Sequence, residues 1–211
     1  MREKLRFLSV MFGALFVIAV ALSCSNGTDS DNNDDNGESK KIVPLAVGNF
    51  WVYSNTGFDF VGAFEYTDTL QITGDTVVNG ETWYKATYKS ASDEGNNFLL
   101  TNRSDGLWQW QLYTGGSQEL IAKFPAILTD AWAVAAGGSK TIVNLDTLVQ
   151  SGPGFFRCIH YSYEYQAVAS HEYYCPNVGL VYRSETEVDP FEATDTVFHA
   201  EVLLSEMHLQ Q

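Results

Sequence analysis

From Ile42 onward, apolar side chains recur at every second position in short runs, and Gly, Asn and Asp break the runs apart. A two-residue period marks strands with one face buried. No window beyond residue 25 holds a helical period for three turns, which excludes a helical bundle and an alternating α/β chain. The clearest hairpin spans Thr69 to Lys89. Val77 and Val78 lead into Asn79-Gly80, two residues that tolerate positive φ and suit a type I′ turn. Its return strand puts Tyr84, Ala86 and Tyr88 on one face and Trp83, Lys85, Thr87 and Lys89 on the other. A second hairpin surrounds Ser104-Asp105-Gly106, and its outgoing strand sets Trp108, Trp110 and Leu112 opposite Gln109 and Gln111. Further strands are expected over 141–149, 155–166, 172–175, 180–187 and 196–204. The stretch 121–136 offers at most a short helical turn, because Pro125 interrupts it. The expected fold class is all-β: a single curved antiparallel meander, a half-barrel or open barrel. Pro44 to Trp51 echoes Pro125 to Trp132, each with Pro seven residues before Trp, and reads as a local device in which a Trp plugs one end of the sheet.

The N-terminus gives an address. A basic start (Arg2, Lys4, Arg6) precedes an apolar run from Phe7 to Leu22, and Ala21, Leu22 and Ser23 stand just before Cys24. This order is that of a secretory signal, expected as a helix. With Ser9 and Gly13 inside it, the run falls short of the about 20 apolar residues of a spanning helix. The cysteine directly after the cleavage point resembles a bacterial lipoprotein signal, with Ala21 and Leu22 swapped against the usual order. The resemblance implies cleavage before Cys24 and acylation of its thiol and new amino terminus by chains such as palmitate. Several acyl chains anchor stably where one does not.

Cleavage there leaves 188 residues with 9 basic and 25 acidic side chains, a formal charge of −16. Such a chain is a poor partner for nucleic acid or anionic headgroups, which attract basic patches. Five of the acids (Asp29, Asp31, Asp34, Asp35 and Glu38) lie between Ser25 and Ser39, a stretch with no apolar side chain. It cannot build a core and is expected as an extended tether. The organisation read from the sequence is therefore a signal peptide over 1–23, a disordered acidic tether over 24–41 and one β-domain over 42–211.

Three segments carry a family likeness: Pro-Leu-Ala-Val-Gly-Asn-Phe-Trp-Val-Tyr (44–53), Gly-Asp-Thr-Val-Val-Asn-Gly-Glu-Thr-Trp-Tyr-Lys (74–85) and Tyr-Tyr-Cys-Pro-Asn-Val-Gly-Leu-Val-Tyr (173–182). Together they resemble uncharacterised Gram-negative lipoproteins built on β-domains of unknown function, whose members commonly have Ala where Cys175 stands. The resemblance implies a curved antiparallel sheet at the outer membrane or cell surface, and no catalytic residue. Lipoprotein-carrier half-barrels of the LolA/LolB kind, which hold acyl chains in a concave face, are similar at the level of fold alone.

With Cys24 assigned to the anchor, two cysteines remain, Cys158 and Cys175. They flank an expected hairpin turning near Ala167 to Ser170. A disulfide between them suits a compartment outside the cytoplasm. Two histidines share these strands, so Cys158, His160, His171 and Cys175 also form a nominal zinc set, though with no zinc-ribbon spacing. The disulfide is the favoured reading, and no metal or other cofactor is expected.

No catalytic residue is assigned, since the chain has neither a Gly-x-Ser-x-Gly elbow nor a His-Glu-x-x-His motif. His199 and His208 are scattered strand histidines. Glu164 beside the tyrosines is the least arbitrary acid for a cryptic hydrolase site. Trp108, Trp110, Tyr161, Tyr163 and Tyr165 form either core or a platform for a lipid or sugar. The function expected is a non-enzymatic envelope module that binds or assembles a lipid, glycan or protein partner. An envelope hydrolase with a cryptic carboxylate or histidine site is the alternative, and a scaffold within a surface complex is a third reading.

Overall fold

The computed structural model describes residues 41–90, 95–111, 116–135, 137–189 and 196–210. The signal, Cys24, the acidic tether and Leu112 lie outside the described residues. The strands are β1 (Phe50–Asp59), β2 (Gly62–Val78), β3 (Glu81–Ser90), β4 (Asn96–Arg103), β5 (Gly106–Gln111) and β6 (Ser117–Lys123), then β7 (Ala131–Ala133), β8 (Ser139–Ser151), β9 (Gly154–Tyr165), β10 (Val168–Cys175), β11 (Gly179–Val188) and β12 (Thr196–His208). Asn79 and Gly80 take φ of 53° and 82°, as a type I′ turn requires. Gln166 turns at φ 51°, so β10 starts at Val168, earlier than the expected 172.

All twelve strands join one antiparallel sheet in the order β6-β5-β4-β3-β2-β1-β12-β11-β10-β9-β8-β7. The meander is thus split. The chain begins in the middle, winds out to one edge, crosses to the other and winds back until β12 pairs with β1. Only residues 124–130 link the edge strands β6 and β7, a reach of at most about 25 Å. The sheet must therefore curl until its edges nearly meet. Among the described residues, backbone pairing does not close the gap. Instead, Trp132 Nε1–H donates to Leu120 O (3.0 Å), Lys140 Nζ to Ile121 O (2.9 Å) and Tyr161 Oη–H to Lys123 O (2.9 Å). Side chains of β7, β8 and β9 so satisfy carbonyls along an edge that would otherwise be open to pairing.

The Pro-to-Trp echo is more than a local device. Asn49 N–H donates to Ala46 O (3.1 Å) and Asp130 N–H to Ile127 O (3.0 Å), closing equivalent turns. The third turn residue has positive φ in both, Gly48 at 95° and Thr129 at 69°. Gly48 N–H donates to Ile72 O as Thr129 N–H donates to Ile142 O, both at 2.9 Å, and each isoleucine N–H returns a bond to Asn49 or Asp130. Trp51 then pairs with Leu70, and Trp132 with Lys140. A bulge follows each buried isoleucine, and Ile72 faces Ala86 as Ile142 faces Tyr161. The correspondence reaches the next strand, where Ala86 pairs with Phe98 and Tyr161 with Glu172. The strands β1–β4 and β7–β10 are thus a structural repeat. Its core includes Trp51, Ile72, Leu100, Ile142, Tyr161 and Tyr174, all buried, and Leu204 of β12 packs in the same cluster.

Candidate functional site

Alternation along β1 turns Trp51, Tyr53 and Asn55 inward, all three buried. Trp51 and Tyr53, with Leu70, Phe98, Leu100, Leu107, Tyr174 and Leu180 among others, wall an apolar cavity of about 280 Å³. Leu107 on β5 and Leu180 on β11 stand far apart in strand order, so the cavity exists only because the sheet curls. At about 30 Å³ per water-sized atom, it has room for roughly nine heavy atoms. Few polar groups reach it, which is the usual make-up of a ligand pocket.

Those few gather at one end. Asp68, 2 % exposed, shares parity with Leu70 and Ile72 on β2 and so points into the apolar side. Its Oδ2 accepts bonds from Tyr88 Oη–H (2.6 Å) and Asn55 Nδ2–H (3.1 Å), and its Oδ1 is buried with no partner. Arg183 lies in the wall of the same cavity, and its Nε is likewise buried and unpartnered. Arg183 stands directly opposite Glu172 in the β10–β11 ladder, but that carboxylate goes to Lys140 at 2.7 Å. Among the described residues, no carboxylate forms an ion pair with Arg183. Burial pushes the Tyr53, Tyr88 and Tyr174 phenols well above their usual value; the bond to Asp68 adds to the rise at Tyr88. All three stay protonated donors.

A second pocket of about 350 Å³ shares Arg183 and Val202 with the first, and Asn55, Asp59, Phe64, Tyr66, Glu185 and Phe198 also line it. Phe64 stacks on Phe198 (6.3 Å between centroids) and tilts against Tyr66 (5.7 Å). Asp68 joins the two pockets, since its partner Tyr88 lines the first and its partner Asn55 the second. Beyond Asp59, the β1–β2 turn projects Phe60 (95 % exposed) and Val61 (81 %).

A third hollow, of about 190 Å³, is polar. Lys140, Glu172, Glu119, Glu185, Tyr163 and Ser170 are among its walls. Here the inner side of the sheet is filled by the Lys140–Glu172 pair and by Tyr161, which meets Trp132 and Tyr174 edge to face.

The five aromatics named as a platform do not form one surface. Trp108 and Trp110 share a face of β5 opposite Leu107 and Gln109, which line the cavity. On that outer face Trp110 meets Trp83 edge to face, and Arg103 lies over Trp83 and Trp108 at 5.2 and 4.6 Å while forking to Glu81. Tyr161 and Tyr163 are on the inner side, Tyr161 buried and Tyr163 donating to Gly137 O (3.1 Å). Tyr165 lies near the strand end, its hydroxyl accepting from Gln166. Glu164 is exposed.

Cys158 and Cys175 are brought together one ladder step beyond Ile159–Tyr174. They are two unbridged thiols, Cys158 buried and Cys175 less so. The neighbouring Cys175 thiol, with burial second, pushes the Cys158 thiol far up, and the same pairing favours the Cys175 thiolate. The thiols themselves donate to backbone carbonyls, Cys158 to Phe156 O (3.8 Å) and Cys175 to Pro176 O (3.7 Å). His160 and His171 share their face with nitrogens 3.1 Å apart, and His160 stacks on Tyr173 at 4.3 Å. Burial, then the nearby His171, lowers the His160 pKa. Among the described residues, no three His, Cys, Asp or Glu side chains are arranged to hold a metal ion. Sequence reading missed Asp68 and Arg183. An acid in phase with Leu70 and Ile72 was a visible signal for the first. For Arg183 there was none, because a bulge at Tyr173/Tyr174 breaks the alternation beside it.

The chain matches no protein-family model and no curated protein sequence. Two crystal structures share its fold. One is of a Bacteroides fragilis NCTC 9343 protein described as exported and of YmcC-like fold, with TM-score 0.54 and 11 % identity, over 81 % of this chain and 100 % of that one. The other is of a Parabacteroides distasonis ATCC 8503 protein described as a lipoprotein, with TM-score 0.53 and 14 % identity, over 81 % and 100 %. At such identities the likeness speaks for the fold.

Proposed function

We propose that this is an envelope lipoprotein, anchored through acylated Cys24 on an acidic tether, whose β-domain binds the apolar part of a ligand without transforming it. The observation that carries the reading is the cavity of about 280 Å³ between Trp51, Leu70, Phe98, Leu100 and Tyr174. A core with no task would be packed to crystal-like density, with few voids larger than a water. The lipoprotein signal and the description of one fold relative as a lipoprotein support the envelope assignment. An outer-membrane or surface position, and kinship with uncharacterised Gram-negative lipoproteins of the same strand motifs, belong to the same proposal.

Native mass spectrometry of the secreted chain with Cys24→Ser tests the reading. A retained mass should be present, and Leu70→Trp, which fills the cavity, should abolish it. A clean apo mass, with no uptake of added amphiphiles, would remove the reading.

A further inference from the structure

We infer that the ligand is a single-chain amphiphile with a zwitterionic head, ordered as tail, anion and cation. The inference rests on the binding reading above and adds the head group. Three chemistries follow one another along the inner side of the sheet. The apolar cavity comes first, with room for a tail of roughly nine heavy atoms. Arg183 comes next, in the wall common to both pockets. Its Nε is buried and unpartnered, and its ladder neighbour Glu172 is held by Lys140. The residue is half-buried, and among the described residues no carboxylate is ion-paired with its guanidinium, which leaves it able to meet an anion. The second pocket follows, where Asp59 and Glu185 stand among Phe64, Tyr66 and Phe198. Carboxylates with aromatic faces suit an ammonium group, through charge and cation–π attraction together.

A simple anion fits less well, because the same two carboxylates would repel it. A simple cation fits less well because it would meet Arg183. Asp68 stands behind the junction and ties its two walls together, since its partner Tyr88 lines the first pocket and its partner Asn55 the second. It is 2 % exposed, and its Oδ1 has no donor although Tyr88 and Asn55 satisfy Oδ2.

Calorimetry with the Cys24→Ser chain tests the order, using four probes of one tail length below their micelle-forming concentrations. The probes are decylphosphocholine (both charges), decyl sulfate (anion), decyltrimethylammonium (cation) and decyl maltoside (neither). Decylphosphocholine should bind roughly ten-fold more tightly than each of the others, the scale of one charge-assisted contact. Arg183→Leu should erase its advantage over decyltrimethylammonium, and Arg183→Lys should keep most of it. Glu185→Gln with Asp59→Asn should erase the advantage over decyl sulfate. Equal affinity for all four probes would overturn the head-group inference and leave the cavity reading standing. Failure of every probe to bind would overturn both.

Discussion

The first four strands and β7–β10 share a turn, a tryptophan, a bulge and a register, yet their inner faces have opposite chemistry. Leu70 and Phe98 occupy the steps that Lys140 and Glu172 occupy in the repeat, and Ala86 the step of Tyr161. The first half contributes Leu70, Phe98 and Leu100 to an apolar cavity of about 280 Å³ that the curl completes, while the second carries an ion pair, a buried ring and the edge of a polar hollow of about 190 Å³. The backbone device tolerates both fillings. Binding capacity is therefore set by a few side chains laid on a common frame, and it can be moved by exchanging them.

The largest effect should come from the ion pair. Glu172→Ala strands Lys140, whose side chain is 8 % exposed, and should destabilise the domain by about 3 kcal/mol or more in urea denaturation. Copying the first half, Lys140→Leu with Glu172→Phe, should recover most of that loss, since a well-packed apolar pair can replace a buried ion pair. A double variant as unstable as the single one would show that the two halves are not interchangeable.

The next comparison is at the outer ladder step that holds Trp83 and Thr101 in one half and Cys158 and Cys175 in the other. Oxidised glutathione should convert the thiols to a disulfide with loss of two hydrogens and raise stability by about 3 kcal/mol, by the chain-entropy argument. Cys175, the thiol favoured to ionise, should be the one first alkylated by iodoacetamide in the reduced protein. Preferential labelling of Cys158 in the mass spectrum would contradict that order. The smallest effect concerns the turns. Thr129, a β-branched residue at φ 69°, stands where the first half has Gly48 at φ 95°. Thr129→Gly should stabilise by about 1 kcal/mol, read as a higher thermal midpoint; a lower midpoint would refute the equivalence of the turns.

Much of this fold was legible. The period-two runs, Asn79-Gly80 and the Ser104–Gly106 turn located strands because each rests on local backbone preference. The Pro-to-Trp echo was visible too, but its extent was not, since the matching positions around Ile72 and Ile142 are matched by hydrogen bonds and bulges rather than by residue type. The binding site was the least legible part. Alternation sorts Trp108 from Gln109, and Tyr161 from His160, without saying which face of each strand lies inside, so five aromatics on two faces read as one set, either core or platform. Arg183 and the partners of Asp68 come to the walls of the same two pockets through the curl of a twelve-stranded sheet, which no local pattern encodes.

The split order of the strands also sets when the fold can be completed. At its centre β1 is held by β12, with Ser205 Oγ–H bonded to Val52 O across 153 residues of chain. Contacts between such distant segments form late and slowly. Until its last strand is made, the polypeptide lacks the joint between its two halves. The last strand is thus the clasp of the sheet: β12 pairs with both β1 and β11, and its removal would part the ladder there.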